Sequence, residues 1–198
     1  MRMINKDQVD IFPLVVAHGN KMVLKENFYK LYKTPKAGWK DRVIFNPESV
    51  GESIDEVCAL ADYFPEVPEL SRMLKVHALA KCDKTVGDIR TDIFCPANKR
   101  WTKEKKFEAE KLAMEKICKK IKPYDQYIFG LWLEYKLGET KRAKIAKQIV
   151  RFQTIRKAAQ YQLEGKNIDI KEFINNPGIE IKEPILKRML NEALDRLG

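Results

Sequence analysis

The sequence predicts an all-α protein, built as one compact bundle of roughly seven or more helices. Apolar residues recur three and four positions apart through most of the 198 residues, which is the period of a helix with one buried face. Almost no stretch alternates apolar and polar residues as a half-buried strand does. Because we find no internal repeat, low-complexity segment or linker, we expect a single domain over residues 1–198.

The first two helices have clear boundaries in the sequence. The first is amphipathic, covers 21–33 and ends before Pro35, because proline interrupts a helix. Ser49 can cap the second helix, and Glu52, three positions later, can complete a capping box. The buried face of this second helix is predicted from five apolar residues spaced four and three apart: Val50, Ile54, Val57, Ala61 and Phe64.

The same period predicts the remaining helices. They fall in ELSRMLKVHALAKC, at 102–121, 124–137, 140–163 and 169–175, and in the closing EPILKRMLNEALDRL. Pro123 follows the helix at 102–121, where it cannot extend the hydrogen-bond ladder. We therefore expect helices almost from end to end.

Composition describes a folded, basic protein. Hydrophobic residues make up 44% of the chain and charged residues 33%, which excludes a disordered chain and allows a sizeable core. The formal net charge is +10. This excess predicts either a solvated basic surface or an anionic partner such as nucleic acid, nucleotide or acidic protein.

The cysteines and the hydropathy predict the compartment. The four cysteines are widely spaced without a C-x-x-C pair, which disfavours a zinc cluster and favours reduced, mostly buried thiols: Cys58, Cys82, Cys95 and Cys118. No apolar run approaches the roughly 20 residues that cross a bilayer, and the N-terminal stretch lacks the form of a signal peptide. We expect no membrane partner and a reducing intracellular compartment, the cytoplasm.

Residues 34–53, TPKAGWKDRVIFNPESVGES, carry a family resemblance. A proline, a basic residue, a Gly-Trp pair and an arginine precede Pro-Glu-Ser-Val, and this run resembles the HD-domain superfamily of metal-dependent phosphohydrolases in its 5′-deoxynucleotidase-like branch. TVGDI, KEKKFEAEKLAMEKI and LWLEYKLGETKRAKIAKQIVRF are similar to later segments of that family, in the same order. The resemblance covers about 21–163 and implies an HD-domain-like helical bundle, preceded by an extension (1–20) and followed by C-terminal helices (164–198).

The resemblance also implies a metal site. In the family, two histidines and two aspartates hold a divalent metal that polarises a phosphate oxygen and activates a water. The matching positions carry a serine and three apolar residues: Ser53, Leu79, Ala80 and Val150. We therefore expect no metal and no catalytic residue, and a divalent cofactor only if hydrolysis proceeds through an altered site.

A second alignment uses His77 as the family histidine. It leaves Ala78 at the aspartate position and requires two extra residues beyond Cys82. The ungapped alignment is simpler, and in it His77 is a hydrogen-bonded core or pocket-edge histidine. Neither alignment restores a full set of metal ligands.

Two acids match family positions. Asp83 stands where the family has a glutamate four residues after its histidine, and Asp88 matches the acid of its Gly-Asp pair. These carboxylates could orient a water or a sugar hydroxyl. The structural alternative is that each is an ordinary turn residue.

Cations and one aromatic residue before Ser53 suggest a ligand site. Lys36, Trp39 and Arg42, together with Asp88, could hold a nucleotide or another anion without a metal. The alternative is that Trp39 plugs the core while the cations are solvated. The resemblance places this loop near the family's substrate pocket.

Two concentrations of lysine and arginine predict a polyanion-binding surface. Lys144, Lys147 and Arg151 share one helical face and could neutralise phosphates. The second concentration consists of Lys116, Lys119, Lys120 and Lys122. A solvated face is the alternative for both.

Three functions follow as hypotheses. The first is a catalytically retired HD-domain protein that binds a protein, an RNA-containing assembly or an anionic ligand, with a homodimer as a candidate assembly. The second is a metal-dependent phosphohydrolase that acts on nucleoside 5′-monophosphates through an altered site. The third is a basic nucleic-acid-binding module.

Overall fold

The computed structural model describes residues 18–88, 101–176 and 178–197, with side chains from residue 23 onward. Their helices are α1 (His18–Tyr32), α2 (Ala37–Lys40), α3 (Val50–Leu60), α4 (Leu70–Val76), α5 (Lys103–Cys118), α6 (Asp125–Leu137), α7 (Lys141–Leu163), α8 (Ile170–Ile174) and α9 (Pro184–Asp195). Two 3₁₀ turns lie at Ala61–Tyr63 and Leu79–Cys82. Within the described residues there is no strand, only a single bridge between Pro35 and Ser49, so the all-α prediction is confirmed.

The start of α3 follows from its capping box. The Ser49 hydroxyl accepts a hydrogen bond from the Glu52 amide at 3.1 Å, and the Glu52 carboxylate accepts one from the Ser49 amide at 2.7 Å. These bonds satisfy amides that have no partner within the helix. All five apolar residues predicted for this face are buried.

The long helix α7 forms the centre of the bundle. It packs against α3, α4, α6, α8 and α9, and α3 and α4 also pack on each other. Thr140 caps its first turn by accepting from the Ala143 amide at 3.1 Å, and Gly138 ends α6 in the left-handed region. This arrangement places α3 directly against the middle of α7.

One helix differs from its prediction. The apolar period suggested that α4 continues through Cys82, whereas it ends at Val76 and the chain tightens into the Leu79–Cys82 turn. The carbonyl of Leu74 is contacted by the Nδ1 atom of His77, so the helix end is satisfied locally. The turn packs against α1 and α5.

The described cysteines are free thiols. Cys82 and Cys118 are buried and Cys58 is partly buried, while Cys95 lies outside the described residues. Burial raises the pKa of Cys82 to about 11. Among the described helices, none is both long and apolar enough to span a bilayer.

Candidate functional site

Ser53 lies on the buried face of α3, where it meets the side chain of Lys36. The Lys36 ammonium donates to the Ser53 hydroxyl oxygen at 3.1 Å and to Gln153 Oε1 at 3.1 Å. The Ser53 hydroxyl in turn donates to Gln153 Oε1 at 3.0 Å. An ammonium group therefore lies beside Ser53, the residue that the resemblance aligns with a metal-binding histidine.

Gln153 is the hub of this site, and the sequence analysis missed it. Its side chain is fully buried on α7. Its amide nitrogen donates to Glu48 Oε1 at 2.6 Å and to Glu56 Oε2 at 2.9 Å. One signal was present, because Gln153 is a polar residue on an apolar helix face, one turn after Val150.

Glu48 supplies the buried negative charge of the site. Its side chain is only 1% exposed, and the Lys36 ammonium lies 3.7 Å from its Oε2 atom. The indole N–H of Trp39 donates to the same oxygen at 3.2 Å. Burial lowers the pKa of Lys36, and the carboxylates of Glu48 and Asp88 oppose this effect. Lys36 and Glu48 thus form a partly desolvated ion pair, and Gln153 is hydrogen-bonded to both side chains.

The other matched positions carry apolar side chains. Leu79 and Ala80 are buried, and Val150 is partly buried against the core. None has a donor atom for a cation in its side chain. In the part of the chain that the structure describes, no three or more His, Cys, Asp or Glu side chains form a group able to hold a metal ion.

Asp88 is held by a lysine rather than a metal. The Lys81 ammonium lies 2.6 Å from its Oδ1 atom, and the amide of Ala37 donates to Oδ2 at 2.8 Å. Burial alone would raise the pKa of Asp88, but the Lys81 ammonium and the Ala37 amide hold it well below its usual range. The carboxylate therefore pins the start of α2 to the loop after the Leu79–Cys82 turn.

Asp83 occupies different surroundings. Its Oδ1 atom accepts from the backbone amide of Thr85 at 2.9 Å and from the Thr85 hydroxyl at 2.6 Å. Its Oδ2 atom lies 3.8 Å from the Lys116 ammonium. These contacts match the structural alternative, in which Asp83 is a turn residue.

His77 is packed as a core histidine. Its ring lies 4.9 Å from that of Tyr135, centroid to centroid. Burial, followed by the nearby Lys81 ammonium, lowers its pKa to about 3, so the ring is neutral at physiological pH. The hydrogen-bonded core reading of His77 therefore agrees with its surroundings.

Trp39 and Arg42, in the loop that was predicted to bind a ligand, contact other residues of the chain. Trp39 is 1% exposed and packs between the rings of Tyr161 and Phe173 at 5.2 and 5.3 Å. Arg42 forms an ion pair with Glu172 at 2.8 Å. Trp39 is therefore the plug of the alternative reading, and a ligand role for Lys36, Arg42 and Asp88 stays a prediction.

The predicted basic stripe on α7 is not a row of three free cations. Lys144 is exposed, but Lys147 donates to the carbonyl of Lys136 at 3.1 Å. Arg151 donates to the carbonyl of Asn176 at 3.1 Å and to that of Phe173. These two side chains satisfy carbonyls at the ends of α6 and α8.

Arg151→Met is expected to lower the free energy of unfolding by about 1.5–3 kcal/mol, because charge-assisted hydrogen bonds to the α8 carbonyls are lost. Urea denaturation measures this change. Lys144→Met, on the same helix, should stay within about 0.5 kcal/mol of the parent. Equal effects of the two substitutions would contradict the structural role of Arg151.

A cleft of about 530 Å³ opens behind the Gln153 network. Glu48 and Glu56 lie in its lining, together with Lys157 and Tyr161. Lys157 is already 3.5 Å from Glu56, and the Glu48 amide donates to the Tyr161 hydroxyl oxygen at 2.8 Å. The cleft thus borders the Ser53 site with side chains that are mostly paired.

Curated relatives of this chain carry enzyme names. The chain is 28% identical over 170 residues to the mouse 5′-deoxynucleotidase HDDC2, with 82% of this chain and 81% of that protein covered. The zebrafish protein of the same name is 31% identical over 150 residues, covering 73% and 71%. The 5′-deoxynucleotidase hdd1 of Schizosaccharomyces pombe is 29% identical, covering 83% and 84%.

Solved structures share the fold. A conserved hypothetical protein from Pyrococcus furiosus superposes with a TM-score of 0.68 at 24% identity, covering 88% of this chain and 99% of that one. The PH0347 protein from Pyrococcus horikoshii gives 0.66 at 20%, covering 89% and 99%. The HD domain family model matches residues 30–188. Because this model matches most of the chain and the relatives are named 5′-deoxynucleotidases, the chain belongs to the HD-domain family, in its 5′-deoxynucleotidase-like branch.

Proposed function

We propose that this chain is an HD-domain protein that acts by binding a protein, an RNA-containing assembly or an anionic ligand, without metal-dependent hydrolysis. One observation carries the proposal: the Lys36 ammonium lies within hydrogen-bond distance of Ser53 and Gln153. A cation that belongs to the chain itself offsets the carboxylate of Glu48, with which it forms an ion pair. The buried carboxylate therefore has a positively charged partner that is not a metal ion.

The donor set does not fit a catalytic divalent cation. Such a cation needs several oxygen or imidazole donors converging at about 2–2.5 Å. Ser53 offers one neutral hydroxyl, and that hydroxyl is already engaged with Gln153. A divalent ion beside Ser53 would also be repelled by the Lys36 ammonium, which lies 3.1 Å from the hydroxyl oxygen.

The names of the relatives favour the enzyme alternative more directly than the binding reading. Proteins called 5′-deoxynucleotidases match most of the chain, which supports a phosphohydrolase acting on nucleoside 5′-monophosphates. For this chain, such an enzyme would have to work through an altered site. Asp88 matches a family acid and could serve such an altered site. Both of its carboxylate oxygens, however, are already bound, one by the Lys81 ammonium and the other by the Ala37 amide.

A phosphate-release assay separates the two readings. The purified chain is incubated with nucleoside 5′-monophosphates, both ribo and deoxy, and with cobalt, manganese or magnesium. We expect no release above the protein-free control, because the residues that the structure describes form no group of ligands that would lower the pKa of an attacking water. Metal-dependent turnover that is lost in Asp88→Asn but kept in Asp83→Asn would instead establish the enzyme reading.

Anion binding is tested by thermal unfolding with nucleoside 5′-monophosphates, with and without a chelator. A ligand that binds only the native state raises the unfolding temperature with its concentration. We expect any such rise to be unchanged by the chelator. A rise that the chelator abolishes would point to a bound metal and against the proposal.

A further inference from the structure

A small cavity of about 140 Å³ lies where α1, α5 and the Leu79–Cys82 turn meet. Three lysines line it, from α1, from α5 and from the turn that follows α5: Lys30, Lys116 and Lys120. Two of them belong to the second lysine concentration of the sequence, which the proposed function leaves unused. This cavity and the Ser53 network have no lining residue in common.

The ammonium groups around this cavity have few or weak partners within the described part of the chain. Lys120 is exposed, and within the described part of the chain no ion pair or hydrogen bond engages its side chain. Lys30 donates only to Asn27 Oδ1, at 3.2 Å. Lys116 is 66% exposed at a distance of 3.8 Å from Asp83, an arrangement that contributes little to stability. All three side chains can therefore turn toward a ligand with little loss of interaction energy.

The α7 cations contrast with these lysines. Lys147 and Arg151 are fixed on backbone carbonyls, so an arriving phosphate would have to break those bonds. Among the residues around the small cavity, three ammonium groups face the single carboxylate of Asp83. A fourth lysine, the exposed Lys119, lies directly before Lys120 in the sequence. The excess of positive charge therefore favours an anion.

We propose that the cavity lined by Lys30, Lys116 and Lys120 binds a phosphate group. The shared chemistry is a compact anion that accepts several charge-assisted hydrogen bonds. Its source is either the backbone of a nucleic acid or a free nucleotide. The site stands apart from the Ser53 network, so it holds whether or not the chain hydrolyses nucleotides.

The test measures binding of a short labelled single-stranded RNA over a series of salt concentrations. The triple variant Lys30→Glu, Lys116→Glu and Lys120→Glu should bind at least about tenfold more weakly, with a salt slope reduced by about two. A matched control carries the same charge change at exposed lysines elsewhere: Lys40, Lys171 and Lys187. It should lose much less affinity.

Asp83→Asn gives a change of opposite sign. It removes the one carboxylate of the cavity but keeps the oxygen that accepts from Thr85, so phosphate binding should tighten several-fold. Competition by inorganic phosphate or a nucleoside monophosphate at low concentration identifies a small ligand, whereas its failure identifies the nucleic-acid backbone.

Three outcomes overturn the proposal. Equal losses in the triple variant and its matched control would mean that only net charge matters. Unchanged binding in Asp83→Asn would remove the cavity from the interaction. The absence of binding to RNA, nucleotide and phosphate alike would exclude the site altogether.

Discussion

Gln153→Leu is expected to lower the free energy of unfolding by about 3–5 kcal/mol, because it removes the four hydrogen bonds by which this side chain joins α7 to the Ser53 site. Its Oε1 atom accepts from Lys36 and Ser53, and its amide nitrogen donates to Glu48 and Glu56. Leucine has a similar volume but no polar atom. Urea denaturation followed by circular dichroism measures the change.

Gln160→Leu is the control on the same helix. Gln160 is only partly buried, and its side chain pairs with Glu164 at 2.8 Å on the surface. Its replacement should cost about 1 kcal/mol or less. If both glutamines proved equally dispensable, the network around Gln153 would not hold the site together.

Asp88→Ala should also destabilise the chain by about 3–5 kcal/mol, because it leaves the Lys81 ammonium largely buried without its partner. The Ala37 amide loses its acceptor as well. Urea denaturation measures this loss. Asp83→Ala, which removes a partly exposed carboxylate at a turn, is the matched control and should cost about 1 kcal/mol or less.

The effect of Asp88→Ala depends on pH in a defined direction. The folded state holds the pKa of Asp88 below its ordinary value of 3.8, so the carboxylate stabilises the chain above that pH. This contribution is lost as the pH falls toward the folded-state pKa. The gap in stability between parent and variant should therefore narrow below about pH 4. A gap that is constant with pH would mean that the Lys81–Asp88 ion pair contributes nothing to folding.

The buried carboxylates near Ser53 are balanced by cations of the chain itself. A buried carboxylate without a partner is costly, and Glu48 and Asp88 are both largely buried. Lys36 and Lys81 supply the positive charge beside them. These two cations of the chain therefore balance two buried acids of the site.

Local patterns made much of the fold predictable. The α3 capping box and the buried stripe from Val50 to Phe64 depend on residues three and four positions apart, which a sequence shows directly. The break after Val76 was missed because a carbonyl contact with His77, rather than a proline or glycine, ends α4.

The contacts between distant parts of the chain could not be predicted from the sequence. Gln153 lies 100 residues from Ser53 and 117 from Lys36, so no local pattern joins them. The carbonyl partners of two α7 cations could not be predicted for a related reason. Helical spacing puts Lys147 and Arg151 on one face, but only the packed structure reveals that this face meets the ends of α6 and α8.

Calorimetric titration of manganese or cobalt into the purified chain, combined with elemental analysis of the same sample, tests the central claim most directly. The claim is that the Lys36 ammonium, rather than a divalent cation, balances the Glu48 carboxylate beside Ser53. The account predicts no stoichiometric metal and no saturable binding. One tightly held metal per chain, displaced by a chelator with loss of stability, would contradict it.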